Sequence, residues 1–99
     1  MHVISRKKLI DFYRQTDRHD AKGPLEAWYY EAKHAQWSSP TEVKAQYASA
    51  SIIADNRVVF NIGGNKYRLI VRMNYDSKTA FVRFIGTHGE YDKIDAEVI

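Results

Sequence analysis

Hydrophobic residues recur at helical spacing in the first 40 residues, whereas runs typical of strands dominate the second half of the chain. The short apolar segment His2–Ile4 could pair as an extra strand at a sheet edge. A first helix is predicted after Ser5, which would act as its N-cap. Apolar residues from Leu9 to Tyr13 have helical spacing, and the helix is expected to end near Gln15.

A second helix is predicted from Gly23-Pro24, because proline suits the first turn of a helix. Its apolar positions lie on one face, as in a helix that packs on a core: Leu25, Trp28, Tyr29, Ala32 and Ala35. The stretch Ser38-Ser39-Pro40 is expected to end this helix. The following segment, TEVKAQYASASIIADN, predicts a short helical turn and then a loop.

The second half of the chain predicts a three-stranded antiparallel meander. The strands VVFNI and KYRLIVRMNY flank Gly63-Gly64-Asn65, a hairpin turn in which glycine and asparagine accept positive φ. A second turn at Asp76-Ser77-Lys78 leads into the strand AFVRFIGTH. The order of helices and strands predicts an α+β fold in a single domain, residues 1–99. Two N-terminal helices would pack on a small antiparallel sheet of three to four strands.

Alternation along the middle strand of this meander separates its side chains into two faces. The first face is apolar and is expected to meet the helices: Tyr67, Leu69, Val71 and Met73. The second face carries three cations and is expected to stay open to solvent: Lys66, Arg68, Ile70 and Arg72. Burying unpaired cations costs several kcal/mol for each ion, which favours the open position.

Composition narrows the possible functions. The chain has 99 residues, of which 44% are hydrophobic, and a formal net charge of +3, so we expect a packed, basic domain. It has no cysteine, and its four histidines lack paired ligand spacing, so no disulfide, metal site or other cofactor is expected. No stretch has the pattern of a signal peptide or a membrane span, which predicts a cytoplasmic protein without membrane contact.

The last predicted strand ends in FIGTHGEYD, which places His88 and Tyr91 near the cationic face. RNA cleavage without metal needs a group that takes the 2′-hydroxyl proton, a group that protonates the 5′ oxygen, and cations for the phosphate. Histidine, tyrosine and arginine suit these tasks. Strict alternation separates Arg83 from His88, although a bulge at Gly86 would restore a common face. The same residues are compatible with a non-catalytic module that binds RNA or protein through the basic face.

Two segments of the chain resemble a known family. VVFNIGGNKYRLIV and the later FVRFIGTHGEYDKID closely resemble HigB-type toxins of bacterial toxin–antitoxin systems, within the RelE superfamily, and the similarity extends over essentially the whole chain. The resemblance implies a RelE-like fold and an mRNA interferase. Such an endoribonuclease cleaves mRNA by 2′-hydroxyl transesterification, typically on the translating ribosome. It also implies a HigA-type helix-turn-helix antitoxin, through which the toxin would contact operator DNA indirectly.

The resemblance also implies roles for single residues. It implies that Arg68 faces the scissile phosphate and that His88 and Tyr91 act in proton transfer or base stacking. Three further cations are expected to contact RNA: Lys66, Arg72 and Arg83. For Glu90 we expect a solvated turn carboxylate rather than a partner for a basic residue.

Overall fold

The computed structural model describes residues 1–99. The helices are α1 (Arg6–Tyr13), α2 (Lys22–His34), α3 (Pro40–Gln46) and α4 (His88–Tyr91), and a 3-10 turn spans His19–Ala21. The strands are β1 (His2–Ile4), β2 (Ser51–Ile53), β3 (Arg57–Ile62), β4 (Tyr67–Asn74) and β5 (Thr79–Thr87). No helix combines the length and the apolar character that crossing a lipid bilayer requires.

The strands form one five-stranded sheet in the order β1-β5-β4-β3-β2. The antiparallel meander expected from the sequence is β3-β4-β5, and β2 extends it as a further antiparallel neighbour of β3. At the opposite edge, β1 pairs with β5 in parallel. The predicted α+β class is confirmed. The prediction of three to four antiparallel strands is wrong, because the sheet is mixed and has five strands.

The segment Ser51–Ile53, which was expected to be a loop, is strand β2. It has only three residues, and its turn to β3 uses Asp55 and Asn56 at φ values of 56° and 60° instead of glycine. Aspartate and asparagine adopt this left-handed conformation more readily than other residues that carry a side chain. A strand this short, with a turn that lacks glycine, leaves little pattern in the sequence.

The stretch around Pro40 begins a helix, whereas the sequence analysis expected it to end one. Helix α2 ends at His34, and Pro40 is the first residue of α3. The backbone N–H of Glu42 donates a hydrogen bond of 3.4 Å to the Ser39 hydroxyl oxygen, which caps α3. Proline is favoured in a first helical turn, so Pro40 marked a real boundary but belongs to the helix that follows it.

Side chains from α1, α2 and the sheet share one cluster of 19 buried hydrophobic residues. The rings of Phe12 in α1 and Tyr67 in β4 meet edge-on, with centroids 5.3 Å apart. The rings of Trp28 in α2 and Phe60 in β3 meet in a similar way at 5.4 Å. The cluster contains all four residues predicted for the core face of the middle strand, which confirms that prediction: Tyr67, Leu69, Val71 and Met73.

The second face of the sheet is less open than the sequence analysis expected. Val59 and Ile70 are buried there, outside the main cluster. Arg57 is only 7% exposed, and its Nε and Nη2 atoms donate hydrogen bonds of 3.0 and 2.7 Å to the carbonyl oxygen of Ile99. The C-terminal residues therefore reach over this face beside β3 and cover part of it.

Candidate active site

The strand pair β4–β5 contains a β-bulge. Ile70 pairs with Phe84, and the next residue of β4, Val71, pairs with Val82. One residue of β5, Arg83, is therefore an extra residue without a partner in β4. Because side chains alternate along a strand, this single insertion reverses the alternation in the rest of β5.

The bulge brings His88 to the face that carries Arg68. Val82 belongs to the core, so without an extra residue the even-numbered positions that follow it would also face the core. After the bulge these positions turn to the second face, where Gly86 pairs directly with Arg68 and His88 follows two residues later. The sequence allowed a bulge at Gly86, but the structure has it three residues earlier.

Three residues with predicted catalytic roles lie together at this end of β4 and β5. Arg68 Nε donates a hydrogen bond of 3.1 Å to Nε2 of His88. The guanidinium carbon of Arg68 lies 5.4 Å from the centroid of the Tyr91 ring, within the range of a cation–π contact. All three residues are half-buried, so solvent reaches them.

The hydrogen bond between Arg68 and His88 gives one nitrogen of the imidazole the role of acceptor. An arginine Nε is always a donor, so Nε2 of His88 must be the acceptor. An imidazole nitrogen in the acceptor role can take up a proton, and this one lies beside a guanidinium that is suited to binding phosphate oxygens.

His88 and Tyr91 are the first and last residues of α4, a helix of a single turn. The turn begins with a complete capping box. The backbone N–H of Glu90 donates a hydrogen bond of 3.2 Å to Thr87 Oγ1, and the backbone N–H of Thr87 donates one of 2.9 Å to Glu90 Oε1. The end of β5 is thereby joined to α4 by two reciprocal contacts.

Glu90 also forms an ion pair with a residue that is distant in the sequence. Its Oε2 atom lies 2.8 Å from Nη2 of Arg18, in the segment between α1 and α2. The hydrogen bond from Arg18, together with that from the Thr87 backbone, lowers the pKa of the Glu90 carboxyl. The expectation of a merely solvated carboxylate is corrected, because Glu90 has a basic partner.

Lys66 does not belong to the row of cations on β4. It lies in the turn before β4, which begins at Tyr67, and its ammonium group pairs with the carboxylate of Asp20. The other carboxylate oxygen of Asp20 accepts a hydrogen bond of 2.5 Å from the Tyr67 hydroxyl, whose ring is in the core. The sequence analysis treated Lys66 as a strand residue, and the pairing with Asp20 could not be seen in the sequence.

The two remaining cations with predicted RNA contacts differ in their surroundings. Arg83 is exposed, and its Nε donates a hydrogen bond of 3.3 Å to the carbonyl oxygen of Ile99. Arg72 is exposed and lies four residues from Arg68 along β4, a rise of about 13 Å. Arg72 therefore lies on the same face of the sheet as Arg68, but it is too far along β4 to contact Arg68.

Two polar residues of this face were missed by the sequence analysis. Asn61 pairs with Arg68 across β3 and β4; its Nδ2 donates to the Ser49 carbonyl oxygen at 3.3 Å, while its Oδ1 is buried without a partner. Arg57 lies on the same face, opposite Arg72. Alternation along β3 predicts that Arg57 and Asn61 share one face of the sheet. Only the register between β3 and β4 shows that these two residues lie opposite Arg72 and Arg68.

Comparisons with known proteins identify related sequences. Residues 21–94 match the HigB toxin family, described as the RelE-like toxic component of a toxin-antitoxin system. The chain is 31% identical over 94 residues to the mRNA interferase toxin HigB of Escherichia coli strain K12, covering 93% of this chain and 88% of that relative. It is 30% identical over 96 residues to the mRNA interferase HigB of Escherichia coli O6:H1, covering 95% and 91% of the two chains.

Proposed function

The chain belongs to the HigB family of RelE-like toxins of toxin-antitoxin systems, and from this premise we propose that it is an endoribonuclease that cleaves mRNA. The relatives, which are named as mRNA interferases, support this activity. The observation that carries the proposal is the hydrogen bond of 3.1 Å between Arg68 and His88, beside the ring of Tyr91. It joins a phosphate-binding cation, a proton acceptor and an aromatic ring at one solvent-accessible place.

The proposed reaction is a transesterification within the RNA and needs no metal ion. The ribose 2′ oxygen attacks the adjacent phosphorus, and its proton passes to Nε2 of His88. The bond between phosphorus and the 5′ oxygen breaks, and the departing oxygen takes up a proton from Tyr91 or from solvent. The products therefore end in a 2′,3′-cyclic phosphate and a 5′-hydroxyl.

Arg68 changes its partner in this mechanism. In the free protein its guanidinium holds the accepting nitrogen of His88. A phosphate that binds the guanidinium through charge-assisted hydrogen bonds releases this nitrogen for the ribose proton, and the cation then stabilises the charge that develops on phosphorus. Tyr91 stacks on a base next to the scissile phosphate or passes a proton to the departing oxygen.

Three other cations are proposed to contact the RNA at a distance from the reacting phosphate: Lys66, Arg72 and Arg83. Arg72 is exposed on the face of Arg68, which supports a contact with a neighbouring phosphate. For Lys66 and Arg83 the proposal requires that a phosphate replace Asp20 and the Ile99 carbonyl oxygen, respectively. We therefore assign the larger contribution to Arg72.

We further propose that cleavage occurs on the translating ribosome and that a HigA-type helix-turn-helix antitoxin neutralises the protein. Membership in a toxin-antitoxin family supports an antitoxin partner, and a DNA-binding antitoxin would bring the toxin to operator DNA. A ribosome that holds mRNA in line with the attacking oxygen can lower the barrier by about 7–11 kcal/mol through positioning. Both partners act in the cytoplasm, which is the location that we propose.

The replacement Arg68→Ala tests this function. It is expected to lower the rate of mRNA cleavage by about 10²–10³-fold, because it removes a donor that stabilises the transition state. Cleavage would be measured by primer extension in a purified translation system without antitoxin. Circular dichroism would show that the variant keeps its secondary structure.

Arg14→Ala is the matched control, since Arg14 is exposed at the end of α1 and its replacement removes the same charge. This variant should cleave like the unaltered chain. Undiminished cleavage by the Arg68→Ala variant would contradict the mechanism. An unaltered chain that binds RNA or ribosomes but creates no new 5′ ends would instead be a non-catalytic binding module.

A further inference from the structure

The position of α4 requires an explanation, because a helix of four residues is not stable alone. Closing a first helical turn fixes several backbone dihedral angles in return for one hydrogen bond, so isolated short helices do not persist in water. Two of the three side chains of the candidate active site, His88 and Tyr91, are the ends of this single turn. Contacts outside α4 must therefore fix the place of both side chains.

The Glu90 carboxylate supplies such contacts in two directions. One oxygen accepts from the Thr87 backbone at 2.9 Å, at the end of β5, and the other lies 2.8 Å from Nη2 of Arg18. The Arg18 side chain is only 23% exposed, and its guanidinium carbon lies 4.7 Å from the ring centroid of Phe12, a buried residue of α1. A continuous set of contacts thus runs from the core through Arg18 to α4.

The strand next to α4 leaves room for this carboxylate. A Cβ atom at Gly86 would lie 3.0 Å from Glu90 Oε1, closer than ordinary van der Waals contact. Gly86 pairs with Arg68 in the sheet, so the carboxylate lies close to the strand position opposite the phosphate-binding residue. The ion pair therefore lies close to the place where His88 meets Arg68.

We propose that Arg18 and Glu90 are positioning residues, which hold α4 so that His88 and Tyr91 stay in contact with Arg68. This inference rests on the proposed function for its effect on cleavage. Neither residue touches the RNA in this account. Their effect is on the geometry of the reacting groups, where a displacement of about 1 Å can cost 10²-fold in rate.

Two replacements remove the ion pair between Arg18 and Glu90 but keep the capping box of α4. Glu90→Gln keeps an oxygen for the Thr87 N–H, because glutamine also serves in a capping box, but it removes the charge that pairs with Arg18. Arg18→Gln removes the other partner and leaves the capping box intact. Both variants are expected to lower the single-turnover cleavage rate by about 10- to 10²-fold at saturating programmed ribosomes. The half-saturating ribosome concentration should change little, and Arg18→Lys should restore part of the rate.

Hydrogen exchange supplies a readout that does not depend on cleavage. The Asp92 N–H donates a hydrogen bond of 2.9 Å to the His88 carbonyl oxygen and so closes the turn of α4. In both glutamine variants its exchange is expected to be about tenfold faster or more, because the turn opens more often. The melting temperature should stay close to that of the unaltered chain.

Asp11→Asn is the control, since it breaks the Lys7–Asp11 pair, which has the same separation of 2.8 Å but lies within α1. It should change neither exchange at Asp92 nor cleavage. Where the unaltered chain cleaves mRNA, the proposal requires that the glutamine variants show both faster exchange at Asp92 and slower cleavage. Only one of these effects, or neither, overturns it. If the unaltered chain does not cleave mRNA, the proposed function fails, whereas exchange at Asp92 still decides whether the ion pair holds α4.

Discussion

Two side chains lie close to Gly86, a strand residue of the candidate active site. A Cβ atom at this position would lie 2.5 Å from Phe84 Cζ and 3.0 Å from Glu90 Oε1. The Phe84 ring lies over the strand on the same face, since Phe84 pairs with Ile70 after the bulge. The absence of a side chain thus allows an aromatic ring and the carboxylate that caps α4 to approach the backbone of β5.

Gly86→Ala is expected to lower the free energy of unfolding by about 1–3 kcal/mol, because overpacking forces the Phe84 ring and the Glu90 carboxylate to move. The rate of mRNA cleavage should also fall, since Glu90 belongs to the turn that carries His88. Urea denaturation measures the change in stability, and primer extension measures the change in cleavage.

Gly89→Ala is the control for that experiment. A Cβ atom at Gly89 would meet only Thr87 Oγ1, at an ordinary distance of 3.9 Å. Alanine favours a helix over glycine by up to about 1 kcal/mol, so this variant should be as stable as the unaltered chain or slightly more stable. Equal stability of the Gly86→Ala and Gly89→Ala variants would contradict the crowding argument.

Some residues of the candidate site could be predicted from the sequence, and others could not. Arg68 and His88 could be singled out, because a cation within a strand and a histidine at a strand end are unusual positions with useful chemistry. The partners Arg18 and Glu90 could not be paired, since 72 positions separate them and neither shows a pattern. The relation of Asn61 to Arg68 depends on strand register, which composition does not reveal.

At the scale of elements, α4 should be sensitive to acid. Hydrogen bonds from Arg18 and from the Thr87 backbone lower the pKa of Glu90 in the folded protein below its ordinary value of 4.5. A carboxyl with a lowered pKa stabilises the folded state fully above its unfolded pKa. This contribution is lost as the pH falls from there through the folded value. The order of α4 is therefore linked to the ionised form of Glu90.

Lowering the pH below about 4.5 is expected to accelerate the opening of α4 in the unaltered chain. Nuclear magnetic resonance of the Asp92 amide, recorded as the pH falls from 6 to 3, reports this opening. The Glu90→Gln variant shares all other titrating groups and should lack this step. An identical pH dependence in both proteins would show that Glu90 does not hold the turn.

The elements that could be predicted are those with local signals. The hairpin of β3 and β4 followed from a glycine turn between two apolar runs, and α2 from regular helical spacing. The bulge at Arg83 could not be located, because its position depends on how β5 packs against β4. A bulge at either position turns His88 toward Arg68, but only the observed one also brings Phe84 to that face.

At the scale of the whole molecule, the two faces of the sheet have different surroundings. One face contributes to the 19-residue core, and the other carries Arg68 and Arg72 together with a part that the C-terminal residues cover. The contact between Arg57 and Ile99 joins positions 42 residues apart, so no local pattern announced it. The expectation of an open face is confirmed for Arg72, which is exposed, and is wrong for Ile70, which is buried.

The chemistry of the RNA ends tests the central claim most directly. The chain would be added without antitoxin to a purified translation system, and the new mRNA ends would be analysed before and after treatment with polynucleotide kinase. The proposed mechanism predicts 5′-hydroxyl ends and 2′,3′-cyclic phosphates, because the ribose 2′ oxygen is the nucleophile. Both should form about 10²–10³-fold more slowly with Arg68→Ala. New ends with a 5′-phosphate, or no new ends at all, would contradict it.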